Sequence, residues 1–431
     1  MSFENKAVAL VGFGASNKEM CDYLLKNGAR VTIRNIKQIP VPEGTRLITE
    51  NYLDTCEDLV FRSPVIRPDR IKIRGELTSE IAYALDITRG FKIGVTGSDG
   101  KTTTSTLIYE ILKADKRQAT LCGNIGTPAI RLASDSTEKT HTVCELSSFQ
   151  LFDMQPRLDV AVLTNISENH LDWHKDMGEY IEAKRNIFKN ASRSVLNGDC
   201  PISRKIKLDG EIALFSLDDK KDTRTQMLAC LKNGYLECNG QKIIKADRLR
   251  LKGSFNLQNA LCAIASVWKI ASAEAIEYTL STFEGVTGRM EMVDKINGVS
   301  FVCSSIDSTP SRTIATLSAF DISKCVLILG GYDKGVSYEP LKEATRGLKC
   351  AILCGANADK IEKSVKQSAP IKRANDLLSA TELAYEMANE GDTVLLSPAS
   401  ASFDMFENYK ERERKFKEIV RGLKWKKSKR F

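Results

Sequence analysis

No run of about 18 apolar residues occurs anywhere in this chain of 431 residues, which argues against a membrane-spanning helix. The opening segment, MSFENKAVAL, lacks the basic-then-apolar order of a secretory signal, so a cytoplasmic location is expected, with no membrane partner. Histidine is scarce, and three residues cannot build a histidine-rich metal site. Cysteine is not scarce, at twelve, but no CxxC pair and no Cys/His cluster is present. Spread from Cys21 to Cys354, these residues read as buried free thiols of a reducing compartment. In CAILC, strand alternation puts Cys350 and Cys354 on one side. Aromatic residues do not interleave with the basic ones, so nucleic acid is not an expected partner. Much of the formal charge of +8 lies in Lys424, Lys426, Lys427, Lys429 and Arg430, whose simplest reading is a solvated tail.

What the chain does have is length for two or three domains and one strong motif. In FKIGVTGSDGKTTTSTL, from Phe91 to Leu107, an apolar strand runs into Gly97-Ser98-Asp99-Gly100-Lys101-Thr102, and a helix from Thr103 to Lys113 follows. Strand, glycine loop, Lys-Thr and helix make a phosphate cradle. Backbone amides close around phosphate oxygens, Lys101 reaches the terminal phosphates, Thr102 can ligate Mg²⁺, and the helix N-terminus adds partial positive charge. The ligand expected is ATP or another nucleoside triphosphate. A strict G-x-x-x-x-G-K-[ST] pattern would place glycine at 95, where the chain has Val95, with Gly94 just before it. An ordinary glycine turn is the plainer alternative.

Upstream, Lys6–Val11 reads as a buried strand, followed by Gly12-Phe13-Gly14-Ala15-Ser16-Asn17, a helix to about Asn27 and a strand Arg30–Ile33. Asn17 stands where a dinucleotide motif has its third glycine, and no acid follows the second strand to hold a ribose hydroxyl, so a nicotinamide dinucleotide is disfavoured. A phosphate-bearing nucleotide fits better, with the loop around Gly14 and Ser16 offering amides and Arg34 a cation. A structural glycine turn remains the alternative. Hairpins are expected at Asn233-Gly234 and Asn239-Gly240. Alternating strands and helices resume after Val286, so the fold class expected is α/β in three domains. These are a Rossmann-like domain over 1–89, a central P-loop ATPase-type domain with a mainly parallel sheet over 90–285, and a second Rossmann-like domain over 286–431.

In such sheets ligands gather beyond the C-terminal ends of the strands. Glu145 lies near the C-terminal end of the strand Thr142–Leu146, and His170 follows the strand Val160–Ile166, so both belong at the edge that carries Lys101. Either residue alone is more simply a surface acid or a structural histidine, and their joint placement is what points to a site.

Beside TGSDGKTTT stand GNIG at 123–126, ELSSFQL at 145–151, TNISENHLD at 164–172 and EAKRNIF at 182–188. GSFNLQNA at 253–260, TGRMEMV at 287–293 and LLSPASASFDMF at 395–406 follow. In order and separation these resemble the Mur ligase family over essentially the whole chain. The resemblance implies ATP-dependent addition of D-glutamate to UDP-N-acetylmuramoyl-L-alanine through an acyl phosphate, by a monomer whose partners are small-molecule substrates. It also implies roles residue by residue. Glu145 and His170 would hold a second Mg²⁺, joined by Lys184 in carbamoylated form, and Asn124 would contact the transferring phosphate. Gly97 to Thr103 would cradle ATP, and Asn256 and Arg289 would contact its adenine and phosphates. Lys334, Ser402, Phe403 and Tyr409 would form the D-glutamate pocket, Tyr409 standing where phenylalanine is expected.

Two departures bear on these roles. Asn169 occupies the place of an acid before the histidine. The family's D-S-K-A-T-N segment appears as Ser304-Ser305-Ile306-Asp307-Ser308-Thr309, which leaves Asp307 either as a substitute ligand contact or as the cap of a helix starting near Pro310. The competing readings are a Mur-type or folate-type ligase for another amino acid, and a nucleotide-binding relative without catalysis.

Overall fold

The computed structural model describes residues 3–171, 173–219, 226–251, 253–286 and 288–427. Asp172 and Thr287 of the motifs, and Lys429 and Arg430 of the tail, lie outside them. The chain is α/β, and the strands of the described residues form three sheets. The first comprises β1 (Ala7–Val11), β2 (Arg30–Arg34), β3 (Arg46–Ile48), β4 (Leu59–Arg62) and β5 (Glu76–Thr78), in the order β3-β2-β1-β4-β5 and all parallel. Helices α1 (Ala15–Lys26) and α2 (Glu80–Ile87) belong to it, the second capped by Ser79, whose hydroxyl accepts from the Ala82 amide at 3.3 Å.

The second sheet runs through β6 (Phe91–Thr96), β7 (Gln118–Gly123), β8 (Thr140–Glu145), β9 (Arg157–Leu163), β10 (Asn190–Asn197), β11 (Glu211–Ser216), β12 (Gln226–Lys232), β13 (Tyr235–Cys238) and β14 (Gln241–Lys245). Its order is β14-β13-β12-β11-β10-β9-β6-β8-β7. From β12 to β7 neighbours are parallel, and the two hairpins are antiparallel. At both hairpin turns the expected Asn-Gly pairs take positive φ, +48° and +77° at Asn233 and Gly234, +49° and +81° at Asn239 and Gly240. The connection from β6 passes β8 to reach β7, while that from β8 returns past β6 to β9. The loops after β6, β7, β8 and β9 therefore open on one edge.

The third sheet is β15 (Glu291–Ile296), β16 (Val299–Cys303), β17 (Cys325–Leu329), β18 (Cys350–Leu353), β19 (Ile371–Arg373) and β20 (Thr393–Leu396), ordered β15-β16-β20-β17-β18-β19 and parallel apart from β15. The chain divides into two compact units, residues 1–250 with 256–283 and residues 251–255 with 284–431. The first two sheets lie in the first unit and the third in the second.

Strand alternation sorts the cores. On β9, Ala161 and Leu163 join a cluster with Phe3, Leu10, Met20 and Phe61, while Val160 and Val162 face Ile108 and Ile111 of α3 (Lys101–Ala114). In the second unit Cys350, Ile352 and Cys354 fall in one cluster and Ala351 and Leu353 in another, as the CAILC pattern predicts. All twelve cysteines are free, but Cys56 is exposed and Cys230 half-buried, against the expectation of buried thiols throughout. The last helix begins at Tyr409, where Asn408 Oδ1 accepts from the amides of Lys410 and Glu411 at 3.0 and 3.1 Å and so sets its start.

Candidate active site

The glycine loop leaves β6 at Thr96, and α3 begins at Lys101, two residues before the expected Thr103. Two glycines make the turn possible. Gly97 has φ +152° and a Cβ there would meet Thr164 Oγ1 at 1.8 Å; Gly100 has φ +77° and its Cβ would meet Asn259 Oδ1 at 2.3 Å. The strand after which His170 was expected ends at Leu163, and the following residues strap the loop instead. Ser98 N donates to Asn165 O at 3.0 Å and Asp99 N to Asn165 Oδ1 at 2.9 Å, while Thr164 Oγ1 donates to Asp99 O at 2.6 Å. Ser98 Oγ donates to Ser167 O at 2.9 Å and lies 2.8 Å from the Tyr180 hydroxyl. A loop held this firmly keeps the first-turn amides of α3 aimed at whatever anion lies in front of it. Thr103 is buried just behind.

Three of the expected residues meet at the ends of β6, β7 and β8. Thr102 Oγ1 donates to Glu145 Oε2 at 2.7 Å, and Asn124 Nδ2 donates to Glu145 Oε1 at 2.9 Å. The Asn124 amide also donates to the Glu145 carbonyl at 2.9 Å. This is a compact oxygen-rich corner whose donors suit a hard cation. Among the described residues no three of His, Cys, Asp and Glu are grouped so as to hold a metal ion, and the oxygens this corner itself offers a magnesium ion are those of Thr102 and Glu145.

Two lysines meet at one carbonyl. Lys101 Nζ donates to Gly97 O and Ser98 O, both at 2.9 Å, and Lys184 Nζ donates to Gly97 O at 2.7 Å. Lys184 comes from the helix Met177–Arg185, is 2% exposed, and lies over the Tyr180 ring at 4.7 Å. Burial, and then the charge of Lys101, hold its amine well below the ordinary lysine value, while Asp99 and Glu145 oppose the shift. The neutral amine is the form that reacts with CO₂, and this shift is in its favour.

His170 follows the strap with φ +57°, exposed, its ring 4.9 Å from Phe149. Asn169 beside it is half-buried. Asn256 is buried and accepts from Asn259 Nδ2 at 3.2 Å, which ties it to the residue that faces Gly100.

In the first sheet the loop after β1 differs from expectation. Gly14 is exposed at the start of α1 with open space around it, and Ser16 is half-buried, whereas Gly12 is the glycine a side chain could not replace, its Cβ meeting Ser63 Cβ at 2.8 Å. Asn17 is buried and donates to Gly12 O at 2.7 Å, closing the turn from within. Arg34 corrects the reading of a cation offered to phosphates. It is buried, with Nε and Nη2 on the Glu57 carboxylate at 3.0–3.1 Å, because a lone guanidinium at that depth needs a counter-charge.

In the second unit, Tyr332 N donates to Ala401 O at 2.9 Å and the Tyr332 and Phe403 rings lie 6.1 Å apart, so the loop of Lys334 stands beside that of Ser402 and Phe403. Ser402 is buried, Phe403 63% exposed, Lys334 exposed and Tyr409 half-buried. Arg412, fully enclosed, donates to Ser305 O at 2.8 Å, Ser400 O at 3.1 Å and Ala401 O at 3.2 Å, pinning that loop to the 304–309 segment. Desolvation pushes its guanidinium down to about 10. Asp307 does not cap the helix Pro310–Leu317. Its carboxylate is buried and accepts from Thr316 and Ser397 hydroxyls, each at 2.7 Å. Arg289 precedes β15 at the sheet edge.

Sequence reasoning missed the polar residues beneath the site. Arg62, at the end of β4 and fully buried, pairs with Asp153 and donates to Phe149 O at 2.8 Å. His174, buried, sits with Nε2 2.9 Å from Ser148 Oγ. An arginine closing the apolar run Leu59–Phe61 at a C-terminal strand edge was the available signal for the first; nothing local marked the second.

Residues 95–267 match the Mur ligase middle domain, and residues 288–400 the Mur ligase, glutamate ligase domain. The chain is 39% identical to the UDP-N-acetylmuramoylalanine--D-glutamate ligase of Acetivibrio thermocellus, over 97% of each. Its fold is similar to that of UDP-N-acetylmuramate-alanine ligase MurC from Thermotoga maritima, with a TM-score of 0.65 at 18% identity, covering 97% of this chain and 100% of that one. It is also similar to the MurF ligase from Thermotoga maritima in complex with ADP, with a TM-score of 0.60 at 18% identity and 96% of each chain covered. A relative this close over nearly the full length, two matching domains and a shared fold establish that the chain belongs to the Mur ligase family.

Proposed function

We propose that the chain uses ATP to join D-glutamate to UDP-N-acetylmuramoyl-L-alanine, a step of peptidoglycan synthesis. The observation that carries this is the Thr102–Glu145–Asn124 corner at the mouth of the phosphate loop, in a chain 39% identical to a relative named for that reaction. A carboxylate does not condense with an amine in water until it is activated. Transfer of the γ-phosphoryl group to the carboxylate gives an acyl phosphate and ADP. The D-glutamate nitrogen then attacks the acyl carbon, the carbon–oxygen bond to phosphate breaks, and the amide forms as phosphate leaves and the amine releases its proton. Such a reaction asks the protein mainly to position groups and offset charge.

In this reading Lys101 and the amides of residues 97–103 hold the phosphates, with Asn256 and Arg289 toward the rest of ATP. Magnesium would supply positive charge to offset that of the phosphates; Thr102 would hold one ion, and Glu145, His170 and a carbamoylated Lys184 a second. Asn124 contacts the transferring group. The loop of Gly14 and Ser16 takes the uridine diphosphate end, without Arg34, and Lys334, Ser402, Phe403 and Tyr409 take D-glutamate. The partition into domains at 1–89, 90–285 and 286–431, and action as a cytoplasmic monomer, belong to the same proposal.

A coupled assay of ADP and phosphate release is the test. Turnover is expected to require Mg²⁺, the UDP-muramoyl substrate and D-glutamate together, and Lys101→Ala is expected to remove nearly all of it. Equal turnover with L-glutamate or with diaminopimelate would overturn the assignment.

A further inference from the structure

The loop after β4 reaches into the site through one side chain. Arg67 Nη1 donates to Trp173 O at 2.9 Å and to Glu179 Oε2 at 2.8 Å, and Nη2 to Glu179 Oε1 at 3.0 Å. Its other edge holds Asp69 at 2.8–3.2 Å. The guanidinium carbon lies 5.0 Å from the centroids of both Phe152 and Trp173. The contact is reciprocal, since Trp173 Nε1 donates back to Val65 O at 2.9 Å. From below, Arg62 Nη1 donates to the Pro64 and Ile66 carbonyls at 3.3 and 3.2 Å and fixes the base of the same loop.

What Arg67 grips is the turn that displays His170. That residue holds φ +57°, a region non-glycine residues enter at a cost, and the amides of Trp173 and His174 converge on its carbonyl at 3.1 and 2.9 Å. Glu179, held by Arg67, also accepts from the Lys175 amide at 2.8 Å and lies 3.5 Å from His174 Nδ1. Trp173 also packs on the rings of Phe149 and Phe152, at 4.6 and 5.2 Å, but the hydrogen bonds of its carbonyl and indole both run to the 65–67 loop. An exposed ion pair contributes little. A planar cation bidentate to one carboxylate, bonded to a carbonyl and flanked by two rings is different, and lysine cannot reproduce it.

We propose that Arg67 is a positioning residue that sets the His170 turn against the phosphate loop, so that the loop after β4 governs affinity for the divalent cation. This rests on the reading of His170 as a metal ligand. The test compares Arg67→Lys, Trp173→Phe and His170→Ala with the parent protein. Mn²⁺ binding in the presence of a non-hydrolysable ATP analogue is followed by the electron paramagnetic resonance of free Mn²⁺, beside kcat, KM for D-glutamate and the melting temperature. Arg67→Lys is expected to weaken Mn²⁺ about five- to tenfold and to lower kcat, with KM for D-glutamate changed less than about twofold. Trp173→Phe, which keeps a ring but loses the bond to Val65 O, is expected to act in the same direction and carries the test should Arg67→Lys not fold. Parental Mn²⁺ affinity in folded Arg67→Lys and Trp173→Phe, beside weakened affinity in His170→Ala, would overturn the positioning role and leave the metal reading standing. Parental affinity in His170→Ala would overturn the metal reading, and this role with it.

Discussion

Glu80 is a carboxylate with nowhere to release its proton comfortably. It is buried against the short helix α4 (Ala129–Ala133), where the Ile130 amide donates to Oε1 at 2.7 Å, and desolvation pushes it up to about 7 despite that bond. Glu19 adds to the rise. The folded protein therefore binds a proton that the unfolded chain has released, and stability falls as pH climbs from about 4.5 to about 7. Glu80→Gln keeps an acceptor for Ile130 and cannot titrate. Its melting temperature relative to the parent should rise across that window and level off above it; parallel curves would exclude the effect. Asp307 belongs at this scale too. With its carboxylate among the Thr316 and Ser397 hydroxyls, Asp307→Asn should lower the melting temperature while leaving KM for ATP unchanged. Neither environment was legible in the sequence, because a residue's depth depends on what folds over it. The same holds for Arg67 and Glu179, which meet across 112 positions.

At the scale of elements the phosphate loop was the most legible part of the chain, since its glycines, Lys101 and Thr102 announce a backbone shape as well as a chemistry. What covers the loop was less so. Residues 164–166 were read as the end of a strand, yet β9 stops at Leu163 and the next residues bind the loop's backbone. Gly100 separates the two contributions to this shape. Gly100→Ala should be destabilised by about 1–2 kcal/mol from φ +77° alone, and further by the approach of Asn259. Adding Asn259→Ala should recover the second part and not the first. Chemical denaturation of the double variant checks this, and full recovery would show that the backbone conformation costs nothing.

For the whole molecule, the alternation of strand and helix made the α/β class readable from end to end, and the Asn-Gly pairs marked the hairpins that break the parallel pattern. The grouping of the first two sheets in one unit was not readable, since it follows from which apolar faces meet: Phe3 and Met20 share a cluster with Ala161 and Leu163. In the second unit Arg412 is a buried charge held by the carbonyls of Ser305, Ser400 and Ala401. Arg412→Met should cost about 3 kcal/mol, because several acceptors lose their donor at once. Calorimetry should show the loss in the melting of the second unit, with the first unit's transition unmoved.

The place of Trp173 also makes the protein its own optical instrument. The chain has three tryptophans. Trp268 follows the Ser254–Val267 helix and Trp425 lies on the last helix, whereas Trp173 sits with its ring 4.6 Å from Phe149 and beside the Arg67 guanidinium. Replacing the other two by phenylalanine would leave one emitter, three residues from His170. If His170 ligates the cation as proposed, the emitter's colour and lifetime are expected to change as that ion binds, without a label and without turnover.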